Sequence, residues 1–518
     1  MAVRLISERA PEAATESSRW ARGEHLTGTS LTDLTLLLST LLILHFAVNG
    51  AVPSGGDGGN WLALAREMLG EPVMSADVAY EPVFIGLLAA LVAVLGPLTA
   101  LVVGAFIAEA VLVGAVYSMV RPVGRPHAVV SATAVIFLGY RLEAAAWGAY
   151  PQMLGLGLGL VTLWALASYV NGRNRNWLIV ALIGCLVTLL THKLVGAIFV
   201  AATPAAAALI FWQSRWDKKV LKRAVIGVGA LALIGAGFAW NWWAGTSAGV
   251  EPSLNPLGLT FAEQVERAFR GAGVPWMVLA ALAAIGVGLR SWNRAEGVVV
   301  AAGFGWTAAS VAAFLVTGEP RALIQAQVAI IPVAVMVGWR LFETARRAGA
   351  NRVSRRWRSA GPVVVIGLAA VLGSVAITGL AHYGQSADWY RVAGRAQLGA
   401  LNGLASVAEE GDLVVASRGP NGNPIGWWVE GYAGLPTYTS IDLGYLAFPD
   451  ERDQAISAAA VFEESPERAA ALLDEIGARF LILDRRGPDA GWLSGGEPTG
   501  LDVVSDGTLL ILEVPDGP

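Results

Sequence analysis

EPVFIGLLAALVAVLGP, residues 81–97, is the stretch on which the topology of this chain turns. Its apolar run stops at Gly96-Pro97 after about 14 residues, short of the roughly 20 that a helix needs to cross a hydrocarbon core of about 30 Å. Counted as a full span, it would invert every later loop. Taken as re-entrant or interfacial, it leaves a regular pattern of spans around it.

That pattern is legible because the chain is so apolar. Over 518 residues it is 55% hydrophobic and 15% charged, with mean hydropathy +0.56, outside the soluble range. Apolar runs predict eleven spans near 31–49, 98–120, 127–147, 152–170, 177–192, 194–213, 224–243, 273–289, 297–316, 323–339 and 361–381. Basic residues alternate across them. One set of segments holds 22 Lys and Arg, from the N-terminal arginines through Lys218, Lys219 and Lys222 to the loop after Arg340. The other set holds six: Arg66, Arg141, Lys193, Arg267, Arg270 and Arg321. The excess of cations marks the cytoplasmic side. It places residues 1–30 inside, as a tail without the apolar segment of a cleavable signal, and residues 382–518 outside.

The last segment differs in kind. From His382 onward there are eight Arg, no Lys and 21 acidic residues, whereas 28 basic and 19 acidic residues precede it. Strands at DLVVAS (412–417), FLILD (480–484) and LLILEV (509–514), with a helix from Ser465 to Gly477, predict an α/β fold. The expected architecture is therefore membrane α-helical. A cytoplasmic tail (1–30) leads to a transmembrane domain (31–381) with a long first external loop, followed by an extracytoplasmic α/β domain (382–518). The single Cys185 excludes a disulfide framework and a Cys-based zinc site. Internal repeats are not evident, and no nucleic-acid partner is expected.

The first external loop carries GGDGGNWLALAREMLGEP, residues 55–72. Its apolar positions recur at helical spacing and predict a surface helix, with Trp61, Leu62, Leu64, Ala65, Met68 and Leu69 toward lipid and Arg66 and Glu67 toward water. Asp57 among four glycines reads in two ways. It is a turn residue, or it is a carboxylate at the edge of a partly dehydrated site, tuned for general-base work on a hydroxyl. The glycines would form a flexible hinge there and let the backbone approach a substrate. Glu81, Arg141, Glu143, His192 and Lys193 fall at the same membrane edge, where ionisable groups are functional candidates. The alternative for Arg141 and Lys193 is snorkelling to headgroups, and for His192 an interfacial hydrogen bond. Trp240, Trp242 and Trp243 suit an aromatic belt. In the tail, the loop RGPNGNPIGWWVEGYAGLP (418–436) offers Arg418, Trp427 and Trp428, the tryptophans either seating the tail on the membrane or stacking on a sugar.

Together these stretches resemble the GT-C superfamily of multi-span glycosyltransferases, which use polyprenyl-phosphate-linked sugars. GGDGGNWLALAREML is similar to that family's acidic residue and surface helix, YEPVFIGLLAALVAVLG to the Pro-initiated second helix of the loop, and EAAAWGAYPQ and THKLVG to later external-edge motifs. The tail stretch GWWVEGYAGLPTYTSIDLGYLAFPDERDQA resembles the family's external domain. The resemblance implies a sugar transferase with Asp57 as general base on the acceptor. It also implies a polyprenyl-phosphate-sugar donor, a glycan, lipid or protein acceptor, and a bilayer around the spans. GWWVEGYAG is similar to the WWDYG motif of oligosaccharyltransferases, but Val429 and Glu430 replace its Asp and Tyr, so asparagine glycosylation is not implied. Glu143 has no acidic partner two residues on, and no spacing matches a metal motif, so a metal-independent reaction is expected, with no cofactor. Two other functions remain open: a flippase or transporter of lipid-linked sugars, and a non-catalytic subunit of an envelope-glycan assembly.

The charge pattern makes a direct prediction. In intact cells a membrane-impermeant thiol reagent should modify Asp450→Cys and spare Arg352→Cys; the reverse labelling would invert the topology.

Overall fold

A computed structural model describes residues 28–50, 55–71, 80–246, 260, 262–263, 265–266, 283, 292–350, 360–423, 425–439, 449–495 and 498–515. In chain order its long helices are α1 (Gly28–Asn49), α2 (Gly56–Met68), α3 (Pro82–Leu95), α4 (Pro97–Val120), α5 (Arg125–Ile136), α6 (Gly139–Trp147) and α7 (Tyr150–Val170). They continue with α8 (Asn176–Leu189), α9 (Lys193–Gln213), α10 (Lys218–Thr246), α11 (Arg294–Thr317), α12 (Pro320–Ala350), α13 (Ala360–Tyr390) and α14 (Arg395–Val407). Seven described helices are long and apolar enough to cross a membrane, or eight if the α5–α6 pair is one broken span.

Prolines and glycines set the boundaries. α3 ends at Gly96, whose φ of 76° only glycine adopts freely, and α4 restarts on Pro97, which needs no amide partner in a first turn. α11 opens with a capping box in which Asn293 accepts from the Glu296 amide and Glu296 accepts from the Asn293 amide. The helices interlock through small residues, as membrane helices do. A Cβ on Gly157 would lie 2.9 Å from the Leu112 Cα, and one on Gly303 would lie 2.6 Å from the Ala329 carbonyl oxygen. Apolar side chains such as Ile43, Ile183, Val225, Leu233 and Val316 stay exposed on the outward faces of α1, α8, α10 and α11, the arrangement lipid requires rather than water.

Two expected spans differ, and a third is not described. The run at 127–147 is two helices bent by 43°; the carbonyl of Ile136 freed at the break accepts a hydrogen bond from the Arg141 Nε at 2.7 Å. The run at 177–192 gives the 14-residue α8, about 21 Å long. The run at 273–289 lies outside the described residues, apart from residue 283. The expected belt residues Trp240, Trp242 and Trp243 fall in α10, their side chains outside the described ones.

α2 is a helix as expected, but it does not lie open on a lipid surface. Trp61, Leu62, Ala63, Leu64 and Ala65 are all buried in protein, because the tail packs on one side of α2 while α3 and the α6–α7 corner pack on others. Periodicity identified the apolar stripe but could not say what covers it.

The tail begins beyond α13, which runs on past residue 381 to Tyr390. Its sheet has strand order β1-β2-β4-β3, with β1 (Val414–Ala416), β2 (Phe480–Asp484), β3 (Asp502–Asp506) and β4 (Leu509–Glu513). β1 runs parallel to β2, and β4 runs antiparallel to both β2 and β3. Sequence reading missed β3, DVVSD, whose side chains are exposed or half-buried and carry little apolar signal. The expected 465–477 helix is a short 3-10 turn leading into α16 (Ala469–Ile476), preceded by α15 (Pro449–Glu463). Alternation along the strands gives the sheet two buried faces. Phe480, Ile482, Leu509 and Ile511 join the core that continues into the membrane helices, whereas Leu481, Leu483, Leu510 and Leu512 pack with Leu473 and Val461. The sheet is therefore fixed to the bundle through one face, on the side where α2 lies.

Candidate active site

The GGDGG run forms the first turn of α2. Gly55 is the N-cap and Asp57 lies in the first turn. This turn is wedged between two pieces of backbone. On one side is the α6–α7 corner, where Gly148 has φ 97° and a Cβ on it would meet the Asp57 Cβ at 3.1 Å. The Trp61 indole donates to the Gly148 carbonyl at 2.6 Å. On the other side a Cβ on Gly59 would lie 2.6 Å from the Trp427 carbonyl carbon. The glycines are therefore sites of close backbone packing, and the flexible hinge expected from sequence is not what they build.

Asp57 keeps a little accessible surface, yet protein surrounds its carboxylate. It makes no hydrogen bond or ion pair with any described residue. Burial pushes its pKa up to about 6, opposed by the positive field of Arg321. Arg321, in the first turn of α12, is gripped by Glu319 through Nε and Nη2 at 2.8 and 3.0 Å. Its charge also reaches Tyr80, Tyr140 and His192. Tyr80 lies between Trp61 and His192, with ring centroids 4.8 and 6.3 Å apart. Its phenol is held well above its usual pKa, first by burial and then by the charges of Glu81 and Asp57.

His192 caps α9, its Nδ1 accepting from the Val195 amide at 3.5 Å. Burial pushes it down to about 3, helped by Arg321 and Lys193, so the ring is neutral and its proton sits on Nε2. Lys193 is 3.6 Å from Glu81. Burial raises the Glu81 carboxyl, and Lys193 opposes that rise. Asp57, Tyr80, Glu81, Tyr140, His192, Lys193, Glu319 and Arg321 thus come from five separated segments to one region.

The other expected site residues go elsewhere. Arg141 is fully buried and turns into the bundle, where Glu109 accepts from its Nη1 at 2.6 Å and lies 3.2 Å from His45. It is neither snorkelling nor beside Asp57. Glu143 pairs with His382 of α13 at 3.0 Å. Arg418 is bound to Asp489 in the tail. Trp428 is wholly buried, and the backbone between it and the half-buried Trp427 packs on Gly59. Sequence reasoning passed over Tyr80, Tyr140, Glu319 and, most consequentially, Arg321. Its signal was available: it is one of only six cations in the cation-poor segments before His382, in GEPR at the start of a span. Among the described residues no group of three or more His, Cys, Asp or Glu could hold a metal ion.

The overall fold has solved counterparts. ArnT from Cupriavidus metallidurans bound to undecaprenyl phosphate superposes with a TM-score of 0.56 at 16% identity, over 95% of this chain and 100% of that one. The same protein in its apo state gives 0.56 at 15%, with the same coverage. The archaeal oligosaccharyltransferase AglB from Archaeoglobus fulgidus, in complex with an inhibitory peptide and a dolichol-phosphate, gives 0.52 at 13%, over 89% of this chain and 72% of that one. At such identities the likeness establishes the fold alone, one shared with ArnT and AglB. No protein-family model matches the sequence, and no curated protein matches it.

The unpaired carboxyl predicts a linkage between pH and stability. A raised pKa means the folded state holds the Asp57 proton more tightly than the unfolded state does, so stability falls as pH rises from about 3.8 to about 6. Asp57→Asn, neutral at every pH, should therefore melt above wild type at pH 8. The difference should close by pH 4, and thermal scans of the purified protein across that range check it.

Proposed function

We propose that this protein is a membrane glycosyltransferase that moves a sugar from a polyprenyl-phosphate-linked donor to an acceptor hydroxyl at the extracytoplasmic face. The observation that carries this reading is a largely buried carboxylate, Asp57, that makes no ion pair with a described residue and lies in the positive field of Arg321. Such a pairing of a tuned base with a fixed cation is what sugar transfer from a phosphate needs. The fold it shares with an undecaprenyl-phosphate-bound protein and a dolichol-phosphate-bound one supports the choice of lipid carrier.

In this reading the acceptor oxygen attacks the anomeric carbon, a new C–O bond forms, and the bond from that carbon to the phosphate oxygen breaks. Asp57 takes the acceptor proton. With a pKa of about 6 it is roughly nine-tenths ionised at pH 7, and still basic enough to accept a proton as the hydroxyl becomes a nucleophile. The electron pair leaves on the phosphate, where Arg321 offsets the growing charge. Its Nη1 edge, unlike Nε and Nη2, forms no hydrogen bond with a described residue and can be offered to an anion. Lys193, held by Glu81, is a second cation for the same group. Neutral His192, with Nε2–H as donor, can bind a sugar or phosphate oxygen.

The placement follows from the charge asymmetry. All these groups come from the segments poor in Lys and Arg, so the reaction faces outward, with residues 1–30 in the cytoplasm and the 382–518 unit outside. An eleven-span topology with an interfacial α3 fits that placement, in a plasma membrane. A hexosyl or pentosyl group, passed to a glycan, lipid or protein, is the corresponding substrate class. No step requires a metal.

Transfer from a synthetic polyprenyl-phosphate sugar tests the base. Asp57→Asn keeps the shape but cannot take a proton, and should lower the rate at least about 100-fold while donor binding survives. A wild-type rate in that variant would remove Asp57 from the chemistry.

Arg321 has its own expected outcome. Arg321→Gln should weaken binding of the phosphorylated donor and leave binding of the unphosphorylated polyprenol unchanged. Equal losses for both lipids would show that Arg321 serves the fold and not the phosphate.

A further inference from the structure

Glycine in a helix costs roughly 1 kcal/mol relative to alanine, yet α2 begins with Gly56, Gly58 and Gly59 around Asp57. The structure supplies a reason at Gly59, and the reason lies in the tail, more than 360 residues away in sequence. Neither Gly59 nor Gly431 is among the glycines with positive φ, so no backbone conformation demands glycine at either place. What excludes a methyl is contact. One on Gly59 would meet the Trp427 carbonyl carbon at 2.6 Å and the Trp428 nitrogen at 2.7 Å. One on Gly431 would run into the Gly59 carbonyl oxygen, with the Leu62 Cβ at 2.7 Å and the Ala63 nitrogen at 2.9 Å.

Polar contacts hold the same two backbones together. Arg66, two turns along α2, donates from Nε to the Gly431 carbonyl at 2.8 Å and from Nη2 to the Tyr432 carbonyl at 3.3 Å, and also grips Glu71. These carbonyls belong to a π-helical turn, Val429–Ala433, whose wider winding leaves them open to an outside donor. Gly55 bridges to Arg391, and Gly56 faces Asn423 with 3.6 Å from a notional Cβ to Oδ1. Opposite the tail, the Trp147–Gly148 corner closes on Asp57 itself. The Asp57 turn therefore has a membrane-domain jaw and a tail jaw.

We propose that tail residues 426–432 are a positioning element for Asp57: their backbone, seated on Gly59 and pinned by Arg66, fixes the turn that carries the carboxylate. This rests on the reading of Asp57 as the base, but it concerns where the carboxylate is held and can be read without any catalysis. The titratable and charged groups whose fields couple to Asp57 are Arg321, Tyr80 and Tyr150, and each would change its influence if the turn moved.

The test uses the full chain in detergent. Gly431→Ala forces the two backbones apart, and Gly403→Ala in α14, where an added methyl meets nothing within 4 Å, is the matched control. A hydrophobic carbodiimide, which modifies protonated carboxyls, is titrated against pH, and labelling at Asp57 is read by peptide mass spectrometry. Wild type and Gly403→Ala should half-label near pH 6, and Gly431→Ala should move toward the ordinary 3.8. Turnover with the polyprenyl-phosphate sugar should fall about 10-fold or more in Gly431→Ala, with KM for the donor within about 2-fold. Should Gly431→Ala fail to fold, Arg66→Met, which adds no bulk, decides by the same labelling midpoint. An unchanged midpoint in whichever of these folds overturns the proposal. Wild-type turnover in Asp57→Asn would instead overturn the functional reading alone, leaving a labelling shift to stand as proof of the clamp.

Discussion

A largely buried carboxylate that pairs with no described residue is the constraint around which this end of the protein is arranged. Asp57 occupies the first turn of a helix, where the backbone dipole favours its anion by about 0.3–1 kcal/mol. Arg321 adds attraction of the same sign. Burial still wins, lifting the carboxyl from 3.8 to about 6, a difference of roughly 3 kcal/mol. Two stabilising influences fail to offset desolvation, so the surrounding packing must hold the group in place against its own preference for water.

That packing is made by backbone on backbone. Gly55, Gly59, Gly148 and Gly431 let three chain segments approach more closely than any side chain allows, and Trp61 and Arg66 fasten them with hydrogen bonds to carbonyl oxygens. The tail is thus no appendage hung from the last membrane helix. One face of its sheet shares a core with the bundle, and its GWWVEGYA segment supplies one wall of the Asp57 turn.

Much of this was legible in sequence, for identifiable reasons. Apolar length gave the helices, and the Gly96-Pro97 pair gave the short α3, since both signals are local. Asp57 stood out because a carboxylate between glycines at a span edge is chemically unusual. The meaning of those glycines was not legible. A glycine kept for φ freedom and one kept for contact look alike in sequence, and here the partners of Gly59 and Gly55 lie at Trp427 and Trp147. Arg141 was misplaced for a similar reason. An external-edge arginine reads as available until Glu109, in the middle of an apolar run, turns out to hold it. Arg321 was passed over because a cation next to Glu319 looks like a local surface pair.

The division between these two arginines also bears on the chemistry. Arg141 and Glu109 neutralise each other with no exposure on either side chain, and breaking such a pair leaves a stranded charge worth about 3–5 kcal/mol; its field is spent on the fold. Arg321 is paired too, but its side chain is about half exposed and its Nη1 forms no hydrogen bond with a described residue. Glu319 thus fixes the orientation of the cation without sealing it. Lys193 follows the same rule with Glu81, at a looser 3.6 Å. Burial raises the Glu81 carboxyl, and Lys193 opposes that rise. In the proposed reaction, cations oriented beforehand by acids that hold them incompletely would cost little reorganisation on meeting the donor phosphate. Asp57, which makes no ion pair with a described residue, is in that proposal the group left to take the proton.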